Sequence, residues 1–172
     1  MFLNYTKDFI LKKLIKKSLK NLDTNYSANS IKKIGLLVDS TSFFETEKLI
    51  EDLIANGILL ENITTIIYFV ENKNIEKPNF ISLTGSQLSW NGKLTGVEIN
   101  DFIIQKFDLL INYYDIEKAI LLKITHKSNA LFKVGFSSID NRFNHFLITT
   151  TIENHVTFTK ELFKYLKLLN KL

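Results

Sequence analysis

Two apolar segments separated by a helix-length stretch constrain this chain more than anything else in it. Ile34-Gly35-Leu36-Leu37-Val38-Asp39 is a short, nearly continuous apolar run, the pattern of a strand buried on both faces. Residues 63–70, ITTIIYFV, are β-branched and aromatic and read as a second strand. Between them, Ser40, Thr41 and Ser42 are N-cap candidates for a helix that stops at Asn56-Gly57. Strand, helix and strand at this spacing make a βαβ unit, which implies a parallel pair joined by a crossover. The expected fold is α/β: a single Rossmann-like domain with a mostly parallel sheet of about five or six strands, flanked by helices.

The rest of the chain extends that pattern. Residues 80–83 read as a third strand. Trp90-Asn91-Gly92-Lys93 carries the Asn-Gly signature of a two-residue type I′ turn, hence an antiparallel excursion. Residues 97–105 read as a helix and 107–113 as a strand. Residues 116–128 suit either period, and a helix is expected because a parallel sheet needs a crossover there. Residues 132–136 and 144–151 supply two more short strands. Residues 156–169 form an amphipathic helix with Phe158, Leu162, Phe163, Leu166 and Leu169 inward.

The N-terminus is different. At helical spacing, residues 3–22 place Leu3, Ile10, Leu11, Leu14, Ile15, Leu19 and Leu22 on one face, and Lys12, Lys13, Lys16, Lys17 and Lys20 on the other. The polar stretch DTNYSANS (residues 23–30) then separates this helix from the first strand. The expected organisation is a basic amphipathic helix and linker at 1–30 and the α/β domain at 31–172. The chain carries a net charge of +4. Its first twenty residues hold six lysines against one aspartate, so the basicity belongs to this helix. Those lysines suit an anionic membrane surface, nucleic acid or a protein partner. The competing reading packs the leucine face on the domain and leaves the lysines in water. No nucleic-acid motif or aromatic stacking platform accompanies them.

No apolar run is long enough to span a bilayer, and lysines interrupt the N-terminal pattern where a signal peptide would be apolar. The chain has no cysteine, which excludes thiolate chemistry and cysteine-ligated zinc and suits a reducing cytoplasm. The expected location is the cytoplasm, or the periphery of the inner membrane.

Ligands of a parallel sheet sit beyond the carboxyl ends of its strands. That rule nominates Asp39, Ser40, Thr41 and Ser42 after the first strand, and Asn112 and Asp115 after the fourth. Hydroxyls and helix N–H groups there suit a small phosphorylated ligand, although neither the P-loop nor the dinucleotide fingerprint is present. The competing reading is a strand end followed by a helix cap. A second polar cluster, residues 137–145, holds Arg142, the only arginine, and His145, a candidate acid or base. Its competing reading is a solvated loop. His126, His145 and His155 show no metal-ligand spacing, so no metal or other cofactor is expected. Glu153 and His155 read as capping and surface residues.

Phe107-Asp108-Leu109-Leu110-Ile111-Asn112, a helix, and then Lys133-Val134-Gly135-Phe136 together resemble the acceptor-side, N-terminal half of heptosyltransferase-type glycosyltransferases. The resemblance implies a Rossmann-like fold and a catalytic aspartate in a Gly-Asp pair after the first strand. The loop here is Asp39-Ser40-Thr41-Ser42-Phe43-Phe44-Glu45, which has no such pair. Those enzymes also use a second half for their donor, more chain than these 172 residues supply. Over most of residues 31–172 the chain is also similar to a family of small Bacteroidota proteins without a known activity. The resulting expectation is a non-catalytic binding or adapter protein. The alternative is a small enzyme or sensor for a nucleotide or sugar phosphate, with Asp39 and Ser40–Ser42 facing Arg142 and His145.

Overall fold

In a computed structural model that describes residues 2–19, 30–71 and 77–172, β1 (Ile34–Asp39) is buried along its whole length, as its unbroken apolar run requires. It lies between β2 (Ile63–Phe69) and β4 (Leu109–Tyr113), parallel to both. Outside β2 runs β3 (Phe80–Thr84). Beyond β4 come β5 (Phe132–Phe136) and β6 (Phe146–Ile148). The order is β3-β2-β1-β4-β5-β6 and every neighbouring pair is parallel. This is the doubly wound Rossmann order, whose switch point lies between β1 and β4.

Alternation along the strands divides the apolar side chains between two layers. Ile34, Leu36 and Val38 of β1 join Leu109, Ile111 and Tyr113 of β4 on one face. Helices α2 (Thr46–Ala55) and α5 (His155–Leu168) cover it with Leu49, Leu53, Phe158 and Leu162. Leu37, Ile66 and Leu110 point the other way, beneath α1 (Phe2–Ser18), α3 (Val97–Ile104) and α4 (Ala119–Lys127). Leu11 and Ile15 of α1 are part of that second core, so the N-terminal helix is docked.

Several local expectations are corrected. Ser40, Thr41 and Ser42 cap no helix: α2 starts at Thr46, and its N-cap position, Glu45, makes no side-chain cap bond. The chain must first turn over the strand end and bury Phe43, so the Ser42 and Phe43 amides both donate to the Asp39 carbonyl (3.3 and 3.1 Å). The turn at Trp90–Lys93 is not type I′, because of its two central residues only Gly92 has positive φ (77°). Ser89 and Lys93 close a three-residue loop, and Asn91 Oδ1 accepts from the Lys93 amide (3.1 Å). Within α1, Ile10 and Leu14 face solvent, which narrows the inward stripe to Leu11 and Ile15, with Leu19 half-buried beyond the helix end. The helix ends at Ser18; Lys20, Leu22 and nearly all of the expected linker lie outside the described residues. The last strand is only three residues long, because Asn144 and His145 turn into side-chain bonds instead.

Asp108, Gly135 and Lys133 each hold part of the fold together. Asp108 Oδ2 accepts from the Lys32 and Lys33 amides (2.9 and 2.8 Å) and fixes the entry to β1. Gly135 leaves room for the Asn144 side chain, which would lie 2.6 Å from any added Cβ. Lys133 is buried and donates to the Thr125 carbonyl (2.7 Å), and burial pushes its pKa down to about 8. An unfolded chain holds that proton up to about pH 10.4. Between these values the unfolded state binds more protons, so folding stability rises with pH. Lys123, pushed down by its own burial, acts in the same direction. Higher still, Tyr113 and Tyr114, whose pKa values burial raises, reverse the trend. Urea midpoints measured at neutral pH and at about pH 9.5 are expected to show the rise, and Lys133→Met to flatten most of it.

Candidate functional site

The carboxyl end of β1 is held closed from within. Ser40 hooks onto the neighbouring strand, donating its amide (3.0 Å) and hydroxyl (2.6 Å) to the Tyr68 carbonyl. That turn leaves Asp39 with 0% exposure. Its Oδ1 accepts from the Thr41 amide (3.0 Å) and hydroxyl (2.7 Å), and its Oδ2 pairs with Lys118 from the loop before α4. Lys118 also reaches the Thr41 hydroxyl and lies 4.8 Å from the centroid of the Tyr68 ring. Burial, and then the charges of Asp39 and Asp8, push the Tyr68 pKa up and keep it a neutral phenol.

Helix α1 fastens itself across these strand ends. Asp8 Oδ1 accepts from the Ala119 amide (2.7 Å), so a carboxylate from α1 sits on the first residue of α4. A helix N-terminus favours negative charge, and in this fold it is where a ligand's anionic group can sit. Lys12 bonds Asp8 (3.0 Å) and the Glu117 carbonyl (3.1 Å); Lys16 pairs with Glu117 (2.6 Å) and approaches Asp140 (3.8 Å). Arg142 grips Asp140 through two bonds (2.9 and 2.6 Å) and donates to the Lys16 carbonyl (3.2 Å). Those Arg142 bonds hold Asp140 down at about 2.

The structure brings together Asp39, Ser40 and Thr41, with Ser42 beside them, its buried hydroxyl without a partner among the described residues. It does not bring the other candidates to them. Arg142 is occupied by Asp140 and α1. Asn112 lies inside the sheet, 1% exposed, donating to Asn144 (2.7 Å) and accepting from Thr125 (2.8 Å). His145 stacks on Phe132 and accepts from the Lys133 amide (2.8 Å) at the start of β5, the opposite end of the sheet from Asp39. Asp115 is placed at the strand ends, its carbonyl accepting from Ser138 (2.9 Å). His155 is no surface residue: its Nδ1 meets Asp52 of α2 (2.6 Å), and Asn154 caps α5. Of the five lysines assigned to docking, Lys12 and Lys16 are in ion pairs, Lys13 and Lys17 face solvent, and Lys20 is outside the described residues. Among the described residues no group of His, Asp and Glu could hold a metal ion.

Sequence reasoning missed Asp8 and Lys118. Asp8 is the single acid in a basic helix, a signal that was legible as an exception without showing what it touches. A cleft of about 560 Å³ also opens beyond the ends of β2 and β3, between them and α1, lined by Tyr5, Lys7, Tyr68, Thr84, Ser86 and Lys118. On the far side of α1, Phe9, Ile10 and Leu14 are exposed alongside Lys13 and Lys17. The loop around Gly92 approaches Leu11, and Trp90, two residues before Gly92, is exposed.

Residues 7–169 match a family of unknown function, DUF6913. Comparisons with curated proteins and with solved structures gave no match.

Proposed function

The chain belongs to this family of unknown function, and we propose that it is a non-catalytic cytoplasmic docking protein whose helix α1 rests on an anionic membrane surface. One observation carries the reading: α1 is fixed to the domain by its inner face and still presents large apolar side chains outward. Phe9 is 59% exposed and Leu14 56%, next to the exposed lysines Lys13 and Lys17. Apolar side chains seated at the acyl boundary with lysines at the headgroups describe an interfacial helix. The exposed Trp90, in the loop whose Gly92 approaches α1, is the residue type enriched at that boundary. The attachment is peripheral, since among the described residues no helix is long and apolar enough to cross a membrane.

The charged groups at the switch point are committed to one another, which favours a scaffold over a reaction centre. In this reading the likeness to heptosyltransferase-type enzymes extends to the fold alone. The loop after β1 carries no Gly-Asp pair, and Asp39 is held by Lys118 and Thr41.

Flotation with phosphatidylglycerol vesicles, set against phosphatidylcholine, tests the proposal. The protein is expected to float with the anionic vesicles. Lys13→Glu with Lys17→Glu removes about 2 kcal/mol of attraction or more, at least a tenfold loss of binding. Phe9→Glu with Leu14→Glu is expected to abolish flotation while far-UV circular dichroism stays unchanged. Protein that stays unbound in anionic vesicles, or floats despite both pairs of substitutions, contradicts the reading.

A further inference from the structure

The cleft beyond β2 and β3 has a chemistry of its own, independent of the outward face of α1. Its rim carries two ammonium groups in unequal states. Lys118 is neutralised by Asp39. Lys7 rests on the Gly85 carbonyl (3.3 Å), and among the described residues no carboxylate pairs with it. Asp8, the acid in the lining, is already engaged by Lys12 and the Ala119 amide. Among the described residues the cleft therefore holds one unneutralised positive charge. Thr84 and Ser86, whose hydroxyls share a 2.7 Å bond, add donors and acceptors on the same rim. The remaining walls are apolar or aromatic: Leu11, Leu88, Ile120, Val70 and the exposed ring of Tyr5. About 560 Å³ is within the usual range for small-molecule sites, which are largely apolar with a few fixed polar groups.

We infer that this cleft binds a small organic monoanion, a carboxylate carried on an apolar body, with Lys7 and the Ser86 hydroxyl on the carboxylate and Tyr5 and Leu88 against the body. One unpaired ammonium matches one negative charge. A phosphate dianion would bring a second charge with no second free cation among the described residues to meet it. The cleft's apolar walls have no use for a bare inorganic anion, since burying them yields stabilisation only against a carbon skeleton. The site adjoins the β1–β4 switch point and shares Asp8, Lys118 and Ala119 with it, but Asp8 already occupies the α4 N-terminus there, which leaves Lys7 as the cleft's open cationic group.

Isothermal titration of the full chain with 3-phenylpropionate, its neutral amide and phenyl phosphate tests the assignment. The acid is expected to bind saturably and the amide about tenfold more weakly or worse, because it leaves the ammonium unpaired. Lys7→Met, at a half-exposed position whose loss leaves the core intact, is expected to erase the difference between acid and amide, and Lys7→Arg to restore it. Lys13→Met, on the outward face, is expected to change nothing. Absence of saturable binding at millimolar acid, equal binding of acid and amide, or indifference to Lys7→Met would each overturn the site. Tighter binding of phenyl phosphate than of the acid would overturn the single-charge assignment. Vesicle flotation by the Lys7→Met protein is expected to be unaltered, so failure here is distinguishable from failure of the membrane reading.

Discussion

Lys118→Met is expected to destabilise the fold by about 3 kcal/mol, lowering the melting temperature by roughly 6–12 °C. The cause is the carboxylate left behind. Asp39 has 0% exposure, and breaking a buried pair by removing one partner costs about 3–5 kcal/mol because the other charge stays buried. The lower end applies here, since the Thr41 amide and hydroxyl still donate to Asp39 Oδ1. Asp39→Asn in the same chain removes the stranded charge. The double variant Asp39→Asn/Lys118→Met is expected to recover most of the loss, as replacing a buried pair whole is often near neutral. Thermal melts of the two singles and the double give the coupling directly. Equal stability of Lys118→Met and wild type would mean that Asp39 is not held as an ion pair.

Gly135→Ala is expected to be nearly as damaging, although it adds one methyl group. That carbon would sit 2.6 Å from Asn144 Nδ2 and 3.0 Å from its Cγ, closer than side chains approach. Asn144 has no easy retreat: it is 4% exposed and accepts the Asn112 amide at 2.7 Å inside the sheet. Overpacking costs about 1–3 kcal/mol, and displacing Asn144 leaves a buried amide unsatisfied, adding about 1–3 kcal/mol more. The same substitution in an Asn144→Ala background is expected to cost much less than in wild type, since the clashing group is gone. Additive losses in urea melts of the singles and the double would place the strain elsewhere.

Much of this fold was legible because its strands are either buried on both faces or interrupted by turns. The runs 34–39 and 63–70 announced a parallel pair, and the helices at 97–105, 116–128 and 156–169 appear within a few residues. Strand order was not legible, because a crossover leaves no local mark on the residues it joins. The loop Ser40–Ser42 misled for a physical reason. Hydroxyls that suit a helix cap serve equally well to bind a neighbouring strand's carbonyl, as Ser40 does with Tyr68. The site was less legible than the fold. Arg142 and His145 stand three positions apart, yet the helical turn Asn141–Phe143 ends between them, and one faces α1 while the other stacks on Phe132. Asp8 and Lys118 act on partners 111 and 79 residues away, a separation that periodicity cannot bridge.

Trp90 offers the most direct test of α1 as a membrane-seated helix. It is the only tryptophan in the chain, it is 56% exposed, and it lies two residues from Gly92, whose backbone approaches Leu11 of α1. Its emission, followed during titration with phosphatidylglycerol vesicles, reports whether this face enters the interface. A blue shift that saturates with lipid, is quenched by brominated acyl chains and vanishes in the Phe9→Glu/Leu14→Glu protein is the predicted result. Emission that stays unchanged at every lipid concentration would contradict it.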